Sequence, residues 1–181
     1  MALPRIEPII PIRRREPFDD PGWLFDVKYD GFRAVCYVEQ GRARLGSRNG
    51  NDLPRFALFG AEIASVLEVE EAVLDGEVIV ADATGRPQFY DLLRGRLAPA
   101  YVAFDLLWID GVDLRPKPLS ERRAVLRGLR AVRVDAGARS RRHRGKAAGC
   151  PYGPRTRWLK IKNPDYSQAE GRGELFNRAR G

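Results

Sequence analysis

The chain has 181 residues, 44% of them apolar and 31% charged, a balance that fills a globular core and excludes a disordered or fibrous polymer. Lys and Arg outnumber Asp and Glu by 32 to 24, for a formal charge of +8, which suits a polyanionic partner such as nucleic acid. Two cysteines without metal-type spacing exclude a disulfide framework, and no apolar run or leader pattern points to a membrane, so a soluble cytoplasmic protein is expected.

The proline-rich residues 1–22 predict a segment running extended over a domain surface. From Trp23 the pattern becomes short strands and turns. "WLFDVK" is a strand that meets an Asp30-Gly31 turn, and "FRAVCYV" (32–38) alternates with Ala34, Cys36 and Val38 on one face. "EQG" returns the chain into "RARLGSR" (42–48), a hairpin. Apolar residues at helical spacing predict a helix over 55–67, followed by a strand over 71–82 and a short helix over 88–96. "PAYVAFDLLWIDGVDL" (99–114) is a strongly apolar strand closing in an Asp-Gly turn, and Ser120 is the expected N-cap of an amphipathic helix over 118–132. Residues 133–157 are very basic and without period, "RWLKIKN" (157–163) alternates again, and 166–181 reads as a polar tail. One domain over 23–165 is expected, with no second domain.

Several residues carry chemistry in this frame. A lysine attacks phosphorus only as the neutral amine, which requires desolvation or neighbouring positive charge. Lys28 shares a face with Asp26, and the turn brings Arg33 back beside it. Taken alone, "KYDG" is also the sequence of a Lys–Asp surface pair at a turn. Asp75 and Glu77 share a strand face, to which a solvated strand face is the lesser alternative. Phe104 is expected on one face with Val102, Leu106 and Trp108. Lys160 and Lys162 point one way while Leu159 and Ile161 point into the core, and two such ammonium groups suit an anion between them.

The ordered series "KYDG" (28–31), "SRNG" (47–50), "LDGE" (74–77), "YVAFDLLWIDG" (101–111) and "WLKIKN" (158–163) resembles the ATP-dependent DNA ligases of the covalent nucleotidyltransferase superfamily, most nearly the bacterial end-joining type. The resemblance implies an α+β fold, an ATP-grasp-like adenylation domain of antiparallel sheets flanked by helices, without an OB-fold domain. It makes Lys28 the nucleophile that forms a lysyl-AMP and gives Asp30 a part in the later steps. Asp26 would contact the adenine amino group, and Arg33 and Arg48 the ribose and nick phosphate. Phe104 would stack on the purine, Lys160 and Lys162 would hold phosphates, and Glu77 would contact ribose or a metal ion. ATP and Mg²⁺ or Mn²⁺ are the implied cofactors. The implied partners are nicked or broken duplex DNA and other end-joining repair proteins, acting with a monomer at the bacterial nucleoid.

One family motif, an "EG-x-V-x-K" strand, has no counterpart where it should precede "PYGP". That place holds "RSRRHRGKAAGC", with no acidic residue between Asp135 and Asp165. Arg139–Ala148 can be encoded AGA TCT CGA AGG CAT CGT GGC AAA GCG GCG. Read one nucleotide later, the same bases give Asp-Leu-Glu-Gly-Ile-Val-Ala-Lys-Arg, the missing motif. Residues 135–150 are therefore expected to be aberrant, an out-of-frame segment in which His143 is a solvated charge and Lys146 is not the motif lysine. The alternative reading is a degenerate nucleotide- or nucleic-acid-binding remnant without turnover. RNA ligases and capping guanylyltransferases use the same lysine, and the extra domain of NAD-dependent ligases is not expected.

Overall fold

A computed structural model describes residues 2–129, 133–134 and 142–162. The expected tail over 166–181 and the first part of the 135–150 segment lie outside them.

Ten strands and three helices follow in chain order among these residues: β1 (Ile12–Arg14), β2 (Trp23–Val27), β3 (Phe32–Glu39), β4 (Arg42–Ser47), α1 (Ala57–Val66), β5 (Glu71–Ile79), α2 (Phe89–Arg94), β6 (Ala100–Ile109), β7 (Val112–Asp113), α3 (Leu119–Gly128), β8 (Arg133–Val134), β9 (Arg142–Ala147) and β10 (Trp158–Lys162). They form two sheets. The first has strand order β1-β10-β9-β2; the second runs β4-β3-β5-β6-β7, with β8 parallel to β6. Pairing is antiparallel apart from β8 on β6 and β1 on β10.

The second sheet buries apolar residues on both faces. On one, Ala34, Cys36, Val38, Leu74 and Val78 pack against Ile63 and Ala64 of α1 and Leu126 of α3. Each leucine buried in this way contributes about 2 kcal/mol relative to exposure. On the other face, Val35, Val73, Phe104 and Leu107 meet Trp158 of the first sheet, and Ile6, Ile9 and Tyr152 close the cluster. The N-terminal segment is thus more than an extended strap: it buries two isoleucines and adds β1 to a sheet edge.

Turn chemistry sets both hairpins. Gln40 and Gly41 join β3 to β4 with φ of 51° and 71°, and Asp110 and Gly111 join β6 to β7 with φ of 43° and 82°, the paired positive angles of a two-residue hairpin turn. Gly31 has a different reason. A Cβ there would lie 2.2 Å from the Val78 carbonyl oxygen, so this glycine permits close approach of two strands rather than a left-handed turn. The helix expected to be capped by Ser120 is capped two residues earlier, with Pro118 at its N-cap position and no side-chain cap. The helix over 55–67 starts as a 3₁₀ turn at Pro54–Phe56.

Burial pushes the Cys36 thiol up to about 12, and Cys150, only partly buried, is raised as well by desolvation. Iodoacetamide at mildly alkaline pH is expected to modify Cys150 and to spare Cys36 until denaturant is added, since the thiolate is the reactive form. Peptide mass spectrometry reads both positions. No helix among the described residues is long and apolar enough to cross a membrane.

Candidate active site

The facing surfaces of the two sheets form a buried charged layer around Phe104. Strand alternation assembles it. In the first sheet Asp26 lies opposite Arg144, and Arg144 opposite Lys160, while Lys146 lies opposite Trp158. In the second, Arg33 lies opposite Glu77, and Asp75 opposite Asp105.

Phe104 reaches this layer through a β-bulge. Asp75 pairs with Asp105 and Gly76 with Ala103, which leaves Phe104 as an extra residue on β6; a second shift leaves Leu107 extra. Bulges re-aim side chains, and here they overturn the simple alternation expected for 102–108. Phe104 clusters with Leu107 and Trp108, and Leu106 packs on the opposite side of the sheet. Gly76 sits beside this irregularity, where a Cβ would be 2.5 Å from the Tyr101 ring and 2.7 Å from the Val102 carbonyl oxygen. The glycines of "KYDG" and "LDGE" both serve close packing.

Asp26 is 1% exposed and lies between two cations. Arg123 Nη1 of α3 donates to Oδ1 at 2.5 Å, and Lys146 Nζ is 2.7 Å from Oδ2. Burial alone would raise this carboxyl, but the charges of Lys146 and Arg123 outweigh it and hold the carboxyl below its ordinary value. Lys146, fully buried, is lowered by desolvation against the pull of Asp26 and Asp105. Its Nζ lies 4.1 Å from the centroids of both Phe104 and Trp158, the geometry of a cation–π contact. The Trp158 indole N–H is buried without an acceptor among the described residues.

Arg33 donates to Asp75 through both Nε and Nη2, at 2.6 and 2.5 Å, and the Tyr152 hydroxyl donates to the same carboxylate at 2.7 Å. Burial would lower Arg33, but Asp75 reverses this and raises it. Asp75 is wholly buried and Glu77 nearly so, which sets aside a solvated edge. Arg144 Nη2 donates to Glu77 Oε2 at 2.7 Å. Arg33 and Arg144 also lie 4.8 and 5.2 Å from the Phe104 ring.

Lys28 follows the last residue of β2. Its side chain is 24% exposed, and the ammonium group donates to Asp30 Oδ1 at 3.2 Å and to the Tyr29 carbonyl at 3.4 Å. Of the residues singled out in the sequence, the structure draws Asp26, Arg33, Glu77 and Phe104 into one cluster, with Lys28 and Asp30 two and four residues along from Asp26. Lys160 faces across the sheet from Arg144, and Lys162 closes β10 opposite Arg142. Arg48 stays outside the cluster, exposed in the turn between Ser47 and Asn51.

Arg122, Arg123, Arg144, Tyr152 and Asp105 join the layer without having been singled out in the sequence, and Lys146, set aside there as not the motif lysine, joins it as well. Arg122 and Asp105 form a bidentate pair at 2.8 and 2.7 Å, both wholly buried. The signals were present: Asp105 within "FDLLWIDG", the Arg pair on an amphipathic helix, and the tyrosine of "PYGP". The segment 135–150, read as aberrant and without a counterpart to the motif strand, does contribute a strand in its described part. Residues 142–147 form β9, the central partner of β2 and β10, because without it both strands would bury unpaired backbone groups. Gly145 fits beneath Phe18, Trp23 and Phe25, whose nearest atoms lie 3.3 to 3.4 Å from where a Cβ would stand.

No three His, Cys, Asp or Glu side chains converge among the described residues. Glu77 is held by Arg144, so the residues present do not fit the divalent-cation contact that the resemblance implies for it.

The sequence profile of the family described as "ATP dependent DNA ligase domain" matches residues 14–136. The multifunctional non-homologous end joining protein LigD of Pseudomonas aeruginosa is 38% identical over 113 residues, 59% of this chain and 13% of that protein. The SPbeta prophage-derived DNA ligase-like protein LigB of Bacillus subtilis is 29% identical over 191 residues, 90% of this chain and 69% of the relative. Among solved structures, mycobacterial DNA ligase D complexed with ATP and MES superposes with a TM-score of 0.64 at 29% identity, over 77% of this chain and 54% of that one. The chain therefore spans a small part of the first relative and about half of the solved ligase. The chain belongs to the ATP-dependent DNA ligase domain family.

Proposed function

We propose that the chain is an adenylation domain that transfers AMP from ATP to Lys28 and then to a 5′-phosphate in nicked or broken duplex DNA, in repair or recombination. The observation that carries this reading is the Lys28–Asp30 contact at 3.2 Å, on a partly exposed amine beside a buried layer rich in cations. In the first step Lys28 Nζ forms a bond to the α-phosphorus and the bond to pyrophosphate breaks. Asp30 is placed to accept the proton the amine loses. Arg33, Arg144 and Lys160 offset the negative charge that builds on the transferring phosphoryl group.

Phe104 offers a ring for the purine, and Asp26 a carboxylate for its amino group, both fixed by their cation partners. The AMP then passes to a 5′-phosphate, and attack by a 3′-hydroxyl releases it. Mg²⁺ or Mn²⁺, when it accompanies the nucleotide, neutralises phosphate charge. Lys162 and Arg48 are assigned to phosphate and nick contacts. Duplex DNA, with other end-joining repair proteins, is the partner of a monomer working at the bacterial nucleoid in the cytoplasm.

A nicked duplex incubated with the protein and ATP, GTP or NAD tests this directly. Joined product and a covalent protein–AMP are expected with ATP and neither with GTP. Joining with NAD alone would contradict the reading. Loss of all nucleotide transfer with retained DNA binding would instead favour a non-catalytic nucleic-acid-binding remnant.

A further inference from the structure

We infer that the charged layer between the sheets engages the polyphosphate of its nucleotide without a divalent cation held by the protein, because Arg144 supplies the positive charge at Glu77. The inference rests on the nucleotide reading above and adds a property to it.

The carboxylates of the layer and its mouth are all paired. Asp26 faces Arg123 and Lys146, Asp75 faces Arg33, Glu77 faces Arg144, Asp105 faces Arg122, and Asp30 faces Lys28, at separations from 2.5 to 3.2 Å. Six cationic side chains thus meet five carboxylates. A hard divalent cation is held by carboxylate and other oxygen ligands. To reach Glu77 it would have to displace a guanidinium from a buried, charge-assisted hydrogen bond, about twice as strong as a neutral one. It would also have to enter a layer that already carries excess positive charge.

Arg144 itself meets the requirements of a phosphate ligand. A guanidinium keeps its charge at all working pH values and matches phosphate oxygens as a fork. It carries five N–H donors, more than the Glu77 oxygen at 2.7 Å consumes. Arg144 sits on β9 directly between Asp26 of β2 and Lys160 of β10, so its strand neighbours include a second cation. Glu77 then serves as the positioning residue that orients the guanidinium, rather than as a ligand to a metal ion.

The test is calorimetric titration of the full chain with ATP, once in excess Mg²⁺ and once in EDTA. The dissociation constant is expected to differ by less than about threefold between the two buffers. A loss of about tenfold or more on adding EDTA overturns the inference while leaving the nucleotide reading intact. Absence of binding in both buffers overturns the nucleotide reading, and this inference with it. The variant Arg144→Gln adds an independent arm: it removes the charge, frees Glu77 and is expected to bind ATP at least about tenfold more weakly in EDTA, with Mg²⁺ restoring part of the loss. Equal binding by this variant and the parent in EDTA overturns the role of Arg144. If the glutamine variant does not fold, the Mg²⁺–EDTA comparison on the parent chain decides alone.

Discussion

Lys28→Ala protein incubated with α-labelled ATP is expected to carry no covalent label, a loss of at least about a thousandfold relative to the parent chain. Removal of a nucleophile abolishes bond formation, whereas removal of a charge that only attracts ATP weakens binding and leaves chemistry measurable at high ATP. The contrast can be read because Lys28 contributes little to folding. Its side chain is partly exposed and, among the described residues, ion-pairs with Asp30, a contact of the kind worth at most about 1 kcal/mol. The variant should unfold at nearly the same urea concentration as the parent. Gel autoradiography and a urea titration together separate the chemical loss from a folding loss. Label that persists in Lys28→Ala would transfer the nucleophile to another lysine.

Arg122→Ala is expected to have the largest effect on stability, a loss of about 3–5 kcal/mol, because it strands a buried carboxylate. Asp105 and Arg122 are both wholly buried, and the same guanidinium also donates to the carbonyls of Lys117 and Cys150 at 2.6 and 3.0 Å. It therefore ties β6, α3 and the loop after β9 together. Asp105 already shows the strain of burial, which raises its carboxyl in spite of Arg122. Pairing Arg122→Met with Asp105→Asn should recover part of the loss, since no charge is then left uncompensated. Urea unfolding of the single and double variants gives the coupling between them. An Arg122→Ala loss below about 1 kcal/mol would mean that water or a shifted neighbour replaces the guanidinium.

Local chemistry made much of the fold readable. Alternation identified β3 and β10, the Gln40-Gly41 and Asp110-Gly111 turns identified two hairpins, and amphipathic spacing identified α3. Phe104 shows where alternation fails. A bulge adds one residue to a strand without any mark in composition, so Leu106 falls on the face opposite Phe104 until the second bulge at Leu107 returns Trp108 to the Phe104 side. The buried ion pairs were hidden for a related reason: Asp105–Arg122 and Asp26–Arg123 join residues 17 and 97 positions apart, and one sequence contains no signal for contacts at that range.

Lys146 was set aside because the residues around it departed from the expected motif, although its position did not. In the shifted reading of the codons, lysine falls again on position 146, alanine on 145 and valine on 144. The in-frame chain keeps the lysine and a small residue at 145, the two features that β9 needs to pass beneath Phe18, Trp23 and Phe25 while facing Asp26. It differs by placing an arginine at 144, opposite Glu77. Strand pairing tolerates such a change because backbone groups, not side chains, make the ladder. The shifted frame remains a proposal that the underlying DNA sequence tests, for it must encode the displaced motif.

The central claim is that Lys28, within this layer of paired charges, is the residue that receives AMP. Proteolysis of ATP-treated protein followed by mass spectrometry of the lysine-containing peptides tests it most directly. An AMP adduct confined to the Lys28 peptide is the predicted result; an adduct on Lys146 or Lys160 with Lys28 unmodified would contradict it.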